Sequence, residues 1–147
     1  MTLRILGPPR RRGIPRPDKR LLRSRAIRLL REIDCASSEL SLNLMSDVEI
    51  ARLNERYRHK QGPTDVLAFS LLEGEGAEYR GVLLGDVVVG IETAERQARR
   101  GRRTLDDELA RLVIHGTLHL IGYDHVRDCD ARVMRAEERR LWRFLRQ

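Results

Sequence analysis

The sequence predicts an α+β fold in which a roughly four-stranded mixed sheet packs with about five helices. Short apolar runs bounded by turn residues predict the strands, at residues 2–6, 40–44, 66–70 and 83–91. Segments with apolar residues every three or four positions lie between and after these runs and predict the helices. At 147 residues, 41% of them hydrophobic, the chain has the size and apolar content of one domain over 1–147.

The strands differ in their apolar pattern. Leu40, Leu42 and Leu44 alternate with polar residues, which predicts a half-buried strand. The stretch 83–91 is almost continuously apolar, which is typical of a central strand covered on both faces. The polar, glycine-containing stretch 73–81 predicts a loop before that strand.

The first two helices show apolar periodicity, and the second also has a start signal. The first follows Asp18 and has one apolar face, made of Leu22, Ala26, Leu29, Leu30 and Ile33. The second begins at Ser46 and Glu49, which have the spacing of a capping box, and Gly62-Pro63 ends it. Its apolar face is expected to use Ile50, Leu53 and Tyr57.

Three further helices are predicted after the central strand. The stretch 92–100 is a short, charged helix, and Thr104 with Asp107 is a weaker capping signal for the next one. That helix carries a continuous apolar stripe from Leu105 to Leu120, and Gly122 is a natural stop. A final helix from about Asp130 directs arginines outward and three residues inward, Met134, Leu141 and Leu145.

The charge balance favours a polyanionic partner. The net charge is +7, and all but two (Lys19 and Lys60) of the 29 basic residues are arginine. A GC-rich genome accounts for the preference for arginine over lysine, but not for the net positive sign, which favours nucleic acid as a partner. Residues 1–17 contain five arginines and no acidic residue, and we interpret them as a basic N-terminal segment rather than a cleaved signal.

Two cysteines and the absence of a long apolar run bear on the compartment. Cys35 and Cys129 show no CxxC spacing, so we expect both thiols to be free, as in a reducing, cytoplasmic compartment. No apolar run approaches the roughly 20 residues that a membrane-spanning helix needs. We therefore expect no membrane partner.

The segment HGTLHLIGYDH, at 115–125, contains three of the four histidines. His115 and His119 are one helical turn apart on the same face, and Gly122 lets the chain turn so that His125 approaches the same point. This helix-turn within 105–125 predicts an open three-histidine metal site, as catalytic zinc uses, with one Zn²⁺ per chain. Iron, nickel or copper also suit such a site, and Cys129 or Asp124 is a candidate fourth ligand that would close it.

The same segment argues against peptide hydrolysis. Its spacing coincides with the protease pattern HExxHxxGxxH, but Gly116 stands where that pattern has its glutamate general base. A glycine cannot accept a proton, so a metallopeptidase is disfavoured. The remaining histidine, His59, is expected to be a core or capping residue.

Several segments together resemble one known family. HGTLHLIGYDH resembles the motif of the YbeY family, single-domain metal-dependent endoribonucleases that mature ribosomal RNA. Asn54-x-x-Tyr57-Arg58, the run PTDVLAF at 63–69 and LGDV at 84–87 resemble the family's other signatures in the same order. Ala68 and Ser70 depart from the usual serine and proline.

The resemblance implies a function and roles for particular residues. It implies a single-strand-specific endoribonuclease acting in late 16S ribosomal RNA 3′-end maturation and ribosome quality control. Its partners would be the small ribosomal subunit and its RNA, with ribosomal proteins or assembly GTPases as further candidates. The implied metal ligands are His115, His119 and His125, and the implied catalytic residues are Arg58, beside the substrate phosphate, together with His115, His119 and Asp124.

Some roles stay open at this point. Asp124 would orient an imidazole, accept a proton or cap the turn, and the nucleophile would be an activated water or the RNA 2′-hydroxyl. Asp65 and Asp86 are expected to be structural hydrogen-bond acceptors in turns. The alternative to an enzyme is a ribosome-assembly or RNA-binding factor with a structural zinc.

Overall fold

A computed structural model describes residues 2–70, 83–123 and 128–147 of the chain. It contains the predicted four strands and five helices. In chain order these are β1 (Thr2–Leu6), α1 (Lys19–Glu32), β2 (Glu39–Met45), α2 (Asp47–Arg58), β3 (Val66–Ser70), β4 (Leu83–Gly90), α3 (Ile91–Arg100), α4 (Leu105–Leu120) and α5 (Asp128–Leu145). The loop predicted over 73–81 lies outside the described residues.

The strands form one mixed sheet in the order β1-β2-β4-β3. The pairs β1–β2 and β2–β4 are parallel, whereas β3 runs antiparallel to β4 and forms an edge of the sheet. The prediction of a central strand is confirmed by β4, which has a neighbour on each side. The strand ends one residue earlier than expected, because Gly90 is the N-cap of α3 and Ile91 begins that helix.

Helices cover both faces of the sheet. On one face, α4 packs against β3 and β4 and also contacts α1, α3 and α5. Its buried side chains join those of β2 and β4 in the main core, which includes Leu42, Val87 and Leu118. On the other face, α2 places Ile50 over Leu67 and Val88 in a smaller apolar cluster. Burial of these apolar surfaces fixes α4 against the edge strand β3.

Polar side chains cap three of the helices. Asp18, Ser46 and Thr104 each accept a hydrogen bond from a backbone N–H in the first turn of α1, α2 and α4. The Ser46 hydroxyl also donates to Glu49 Oε1 at 3.0 Å. The capping signals predicted at Ser46 and Thr104 are therefore confirmed, and Asp18 is a further cap that was not predicted.

One prediction for α2 is wrong. Tyr57 does not belong to the apolar face, because 54% of its surface is exposed, whereas the polar Asn54 is buried. The Asn54 amide donates to the carbonyl of Gly62 at 3.0 Å and so holds the segment after the helix. The helix ends at His59, which adopts the left-handed conformation of a C-cap (φ 56°), in agreement with the capping role expected for it.

Both cysteines are free thiols, as predicted. Cys35 is half-buried, and this burial raises the pKa of its thiol, which favours the unreactive protonated form. Among the described helices, none has both the length and the apolar character needed to cross a membrane.

Candidate active site

A cleft of about 560 Å³ lies where the second half of α4 meets the edge strand β3. One wall is β3 itself, a second is α4 at His115, Gly116 and His119, and the third is the end of α2 with Tyr57 and Arg58. Three segments that are distant in sequence therefore meet at one place, and each contributes residues that the sequence had singled out.

The two histidines of α4 converge in this cleft. Because His115 and His119 are four residues apart on one helix, their side chains lie on the same face. Their Nε2 atoms are 3.2 Å apart, and the rings meet edge to face with centroids 4.7 Å apart. Two imidazole nitrogens bound to one zinc ion at 2.0–2.1 Å in tetrahedral geometry are separated by about 3.3 Å. The pair therefore has the spacing of two ligands of one metal ion.

A carboxylate from α5 lies behind His115. Glu138 Oε2 is 3.3 Å from His115 Nδ1, with both side chains about 30% exposed. A carboxylate accepts a hydrogen bond, so this contact favours the tautomer with the proton on Nδ1 and a free electron pair on Nε2. This is the form in which an imidazole can bind a metal ion through Nε2, which in His115 faces His119.

Glu138 was not among the site residues predicted from the sequence, although the sequence contains a signal for it. Glu138 follows Met134 by one helical turn and precedes Leu141, so it lies on the face of α5 that is otherwise apolar. A carboxylate on such a face needs a partner, because burial of an unpaired charge is costly. The identity of that partner, 23 residues earlier in the chain, follows only from the packing of α5 against α4.

Gly116 occupies a position without room for a side chain. A Cβ atom there would lie 2.8 Å from Val87 Cγ1 and 3.3 Å from Val66 Cγ2, closer than such carbons pack. The glycine lets α4 approach the sheet, and a side chain at this position would point at β4. The absence of a glutamate general base at residue 116 is therefore built into the packing of the helix on the sheet.

Arg58 reaches the same cleft from the last turn of α2. It is exposed, and no carboxylate among the described residues lies within ion-pair distance of it. Beside it, the Tyr57 ring meets the Phe69 ring edge to face, with centroids 5.3 Å apart. This contact joins the end of α2 to β3, so the guanidinium lies on a fixed wall of the cleft and is available for an anionic ligand.

The two aspartates of the sequence motifs have different settings. Asp65 is a structural acceptor, as predicted: its Oδ1 accepts from the Val66 N–H at 2.8 Å and its Oδ2 from Gln97 Nε2 at 3.3 Å. These bonds fix the start of β3 against α3. Asp86 is not in a turn, contrary to expectation, but in the middle of β4 opposite Phe69.

Two predicted site residues, Asp124 and His125, lie outside the described residues. Within the described ones, no group of three or more ligating side chains that could hold a metal ion is assembled. Cys129, a candidate fourth ligand, is exposed, and its thiol lies 3.9 Å from Asp130 Oδ1. The described residues therefore supply two converging imidazoles, and a third ligand remains a prediction.

The fold and the cleft define an α+β domain with a paired-histidine site at the edge of a mixed sheet. The solution structure of TM1509 from Thermotoga maritima shares this fold, with a TM-score of 0.66 and 29% sequence identity, over 98% of this chain and 89% of that one. The sequence also matches the family model described as Endoribonuclease YbeY over residues 16–146.

Curated relatives agree with this match. Proteins named Endoribonuclease YbeY are 45% identical in Syntrophus aciditrophicus and 46% identical in Anaeromyxobacter sp., over 74% and 87% of this chain and 68% and 65% of their own lengths. The protein of that name from Geobacter metallireducens is 38% identical over 99% of this chain and 96% of its own length. The chain belongs to the YbeY family of endoribonucleases.

Proposed function

We propose that the chain is a zinc-dependent endoribonuclease that cuts single-stranded segments of ribosomal RNA. The family membership supports the reaction class, and the net charge of +7 supports a polyanionic substrate. The cellular role that we assign is late maturation of the 16S ribosomal RNA 3′ end and ribosome quality control, in the cytoplasm. Its partners would be the small ribosomal subunit, with ribosomal proteins or assembly GTPases as further candidates.

One observation carries the proposal: two imidazole Nε2 atoms 3.2 Å apart share a cleft with an arginine that no described carboxylate pairs. His115 and His119 fit as two ligands of the zinc ion, and we assign His125 as the third. A zinc ion there would supply Lewis acidity toward a phosphoryl oxygen and lower the pKa of a water molecule toward neutrality.

Residues other than the metal ligands would have separate roles in the reaction. Arg58 presents a planar fork of N–H donors that fits two non-bridging phosphate oxygens and offsets the negative charge that grows in the transition state. Glu138 holds the Nδ1 proton of His115 and so keeps the Nε2 electron pair directed into the cleft. Because residue 116 has no side chain, proton transfer must use another group, and we assign Asp124 as the candidate.

The test combines metal analysis with RNA cleavage on the same samples. We expect the wild-type protein to contain about one zinc per chain and to cut a single-stranded RNA fragment from the 16S 3′ region. The His119→Ala variant should lose both properties, whereas Arg58→Ala should keep the metal and lose cleavage. Cleavage that persists in the metal-free His119→Ala variant would overturn the mechanism.

A different outcome would favour the second candidate function, a ribosome-assembly factor with a structural zinc. If wild-type protein holds zinc and binds the RNA but does not cut it after nuclease-free purification, the metal is structural and the chain is an assembly factor.

A further inference from the structure

One flank of α5 carries a row of arginines that the proposed reaction does not use. At about 100° per residue, all of them fall within an arc of about 80° around the helix axis. All are exposed. We call this row the α5 arginine stripe, and it consists of Arg132, Arg135, Arg139 and Arg143, together with Arg146 directly after the helix, whose N–H still donates to the Trp142 carbonyl.

The stripe has no ion pairs within the part of the chain that the structure describes. Among the residues that the structure describes, no carboxylate lies within ion-pair distance of any of its guanidinium groups. Arg140, on the other side of the same helix, shows the contrast: its guanidinium binds Glu137 and also Glu32, at 2.8 Å. The helix therefore has one flank where arginine stabilises the fold and one flank where arginine charge is uncompensated.

The middle of the stripe lies near the cleft. Arg139 lines a small groove between α4 and α5 together with Arg111, Trp142 and Glu138. The same Glu138 lies behind His115, a residue that lines the cleft. Arg111 is also exposed and has no described carboxylate partner, so it extends the positive surface from α5 onto α4. A path of uncompensated positive charge thus leads away from the paired histidines.

We propose that the α5 arginine stripe, with Arg111, binds the phosphates of the RNA strand where it leaves the cleft. This inference rests on the proposed function, because it takes the occupant of the cleft to be RNA. From Arg132 to its end at Leu145 the helix rises about 20 Å. That length matches about six phosphates of a stacked strand, at about 3.4 Å per nucleotide.

The alternative occupants fit the surface less well. A helix that lies on a membrane exposes an apolar face beside its basic one, but the apolar face of α5 is buried in the core through Met134, Leu141 and Leu145. An acidic protein would match the charge of the stripe. Its binding would gain nothing, however, from the continuity of the stripe with the cleft. A nucleic-acid strand is the ligand whose phosphates repeat along such a path.

The test compares two triple variants with the same loss of charge. The stripe variant replaces three of its arginines with glutamine: Arg132→Gln, Arg139→Gln and Arg143→Gln. The control variant replaces three exposed arginines that also lack carboxylate partners but lie elsewhere: Arg20→Gln, Arg31→Gln and Arg100→Gln. A third variant with lysine at the three stripe positions keeps the charge. Thermal unfolding of all of them verifies that they fold.

The readout is the binding of a fluorescent single-stranded RNA of about fifteen nucleotides, measured across a range of salt concentrations. We expect the stripe variant to bind at least about tenfold more weakly at low salt. Its slope of log K against log salt should fall by about 2, since each lost phosphate contact contributes about 0.7 for a single strand. The control variant should change much less, and the lysine variant should stay near wild type. Cleavage at saturating RNA should be unchanged, so that KM rises while kcat does not.

Several outcomes would overturn the inference. Equal weakening in the stripe and control variants would show that only net charge matters. Loss of binding to anionic vesicles or to an acidic protein, with RNA binding intact, would assign the stripe to another partner. The binding readout is independent of cleavage. If wild-type protein binds RNA through the stripe but does not cut it, the proposed function fails while this inference stands.

Discussion

The two ends of α4 use polar side chains in opposite ways. At the first turn, every acidic group has a partner: Asp106 accepts from the Asp18 N–H at 2.9 Å, Asp107 pairs with Arg25 at 3.0 Å, and Glu108 with Arg103 at 2.7 Å. At the last two turns, His115 and His119 face an open cleft, with the Glu138 carboxylate behind His115. The first end is built to hold α4 in place, and the second to present it to a ligand.

This difference yields a rule for interpreting the other polar residues. A charged group that the fold has already paired contributes to stability, and its removal should be felt in unfolding. A charged group that faces a cleft without a carboxylate partner contributes to binding or catalysis, and its removal should leave the fold intact. Substitutions at four positions test that rule, beginning with the one expected to change activity most.

Replacement of Arg58 should have the largest effect. We expect Arg58→Ala to lower the kcat of RNA cleavage by about a hundredfold, the cost of removing one group that stabilises transition-state charge. Arg58→Lys should recover only part of the rate, because an ammonium cannot form the planar fork. The melting temperature should not change, since Arg58 is exposed and has no described ion pair.

The matched control for Arg58 is Arg52→Ala, an exposed arginine one and a half turns earlier on α2. It carries the same charge but does not line the cleft. Equal loss of cleavage in both variants would mean that Arg58 acts only through net charge.

Removal of Glu108 should have the opposite effect, because it should lower stability and leave RNA cleavage unchanged. Glu108 is 4% exposed and binds the guanidinium of Arg103, so Glu108→Ala leaves a partly buried charge without its partner. We expect the free energy of unfolding to fall by about 2 kcal/mol, less than for a fully buried pair because the Arg103 side chain is 31% exposed. Cleavage at a temperature where the variant is folded should be unchanged.

Chemical denaturation measures this effect, with Glu95→Ala as the control. The pair of Glu95 with Arg99 lies one turn apart on the surface of α3, so its loss should cost less than about 0.5 kcal/mol. A Glu108→Ala variant as stable as the control would contradict the structural role of the first end of α4.

Substitution of Glu138 tests whether the carboxylate behind His115 affects the proposed zinc site. We expect Glu138→Gln to weaken zinc affinity by about tenfold, since outer partners of a metal-ligating histidine have effects of that size. Competition with a chromophoric chelator measures the affinity without reference to cleavage. The control is Glu137→Gln, whose carboxylate binds Arg140 rather than His115. Zinc affinity that stays at the wild-type value in Glu138→Gln would remove Glu138 from the site.

The smallest effect concerns pH. The hydrogen bond from Arg140 lowers the pKa of Glu137 below its usual range. A carboxyl whose pKa is lower in the folded state stabilises the protein above its unfolded pKa, and this contribution is lost as the pH falls through the folded pKa. Arg140→Gln should therefore lose less stability than wild type between neutral pH and pH about 3, by less than about 1 kcal/mol for this partly exposed pair. Denaturation curves of both proteins at several pH values measure this difference. An equal loss of stability with falling pH in wild type and in Arg140→Gln would contradict the prediction.

Most of the fold was predictable because its signals are local. The strands and helices follow from apolar spacing, and Ser46 and Thr104 begin their helices through bonds to residues three positions away. Tyr57 shows where this logic fails. Its spacing placed it on the apolar face of α2, but the helix ends near the cleft, and the ring lies against Phe69 of β3. The local pattern predicts that strand but not its position relative to α2.

The site was predictable only in part, for the same reason. The convergence of His115 and His119 follows from helical geometry, because the two residues share one face of α4. The proximity of Arg58 to these histidines was implied by a family resemblance and not by spacing, since it depends on how α2 and β3 pack. Glu138 was missed because its contact joins two helices. Gly116 was interpreted as a missing base, whereas the structure shows that the sheet itself occupies the space of its side chain.

We expect the first end of α4 to contribute to stability and the second end to contribute to activity. The most direct test measures both properties in two variants, His119→Ala and Glu108→Ala, on the same preparations. We expect the two variants to have opposite effects on stability and on activity. His119→Ala should retain the unfolding free energy of metal-free wild type and lose zinc and RNA cleavage, whereas Glu108→Ala should lose about 2 kcal/mol of stability and retain both. If His119→Ala still cuts RNA, or if both variants lose stability and cleavage together, the separation does not hold.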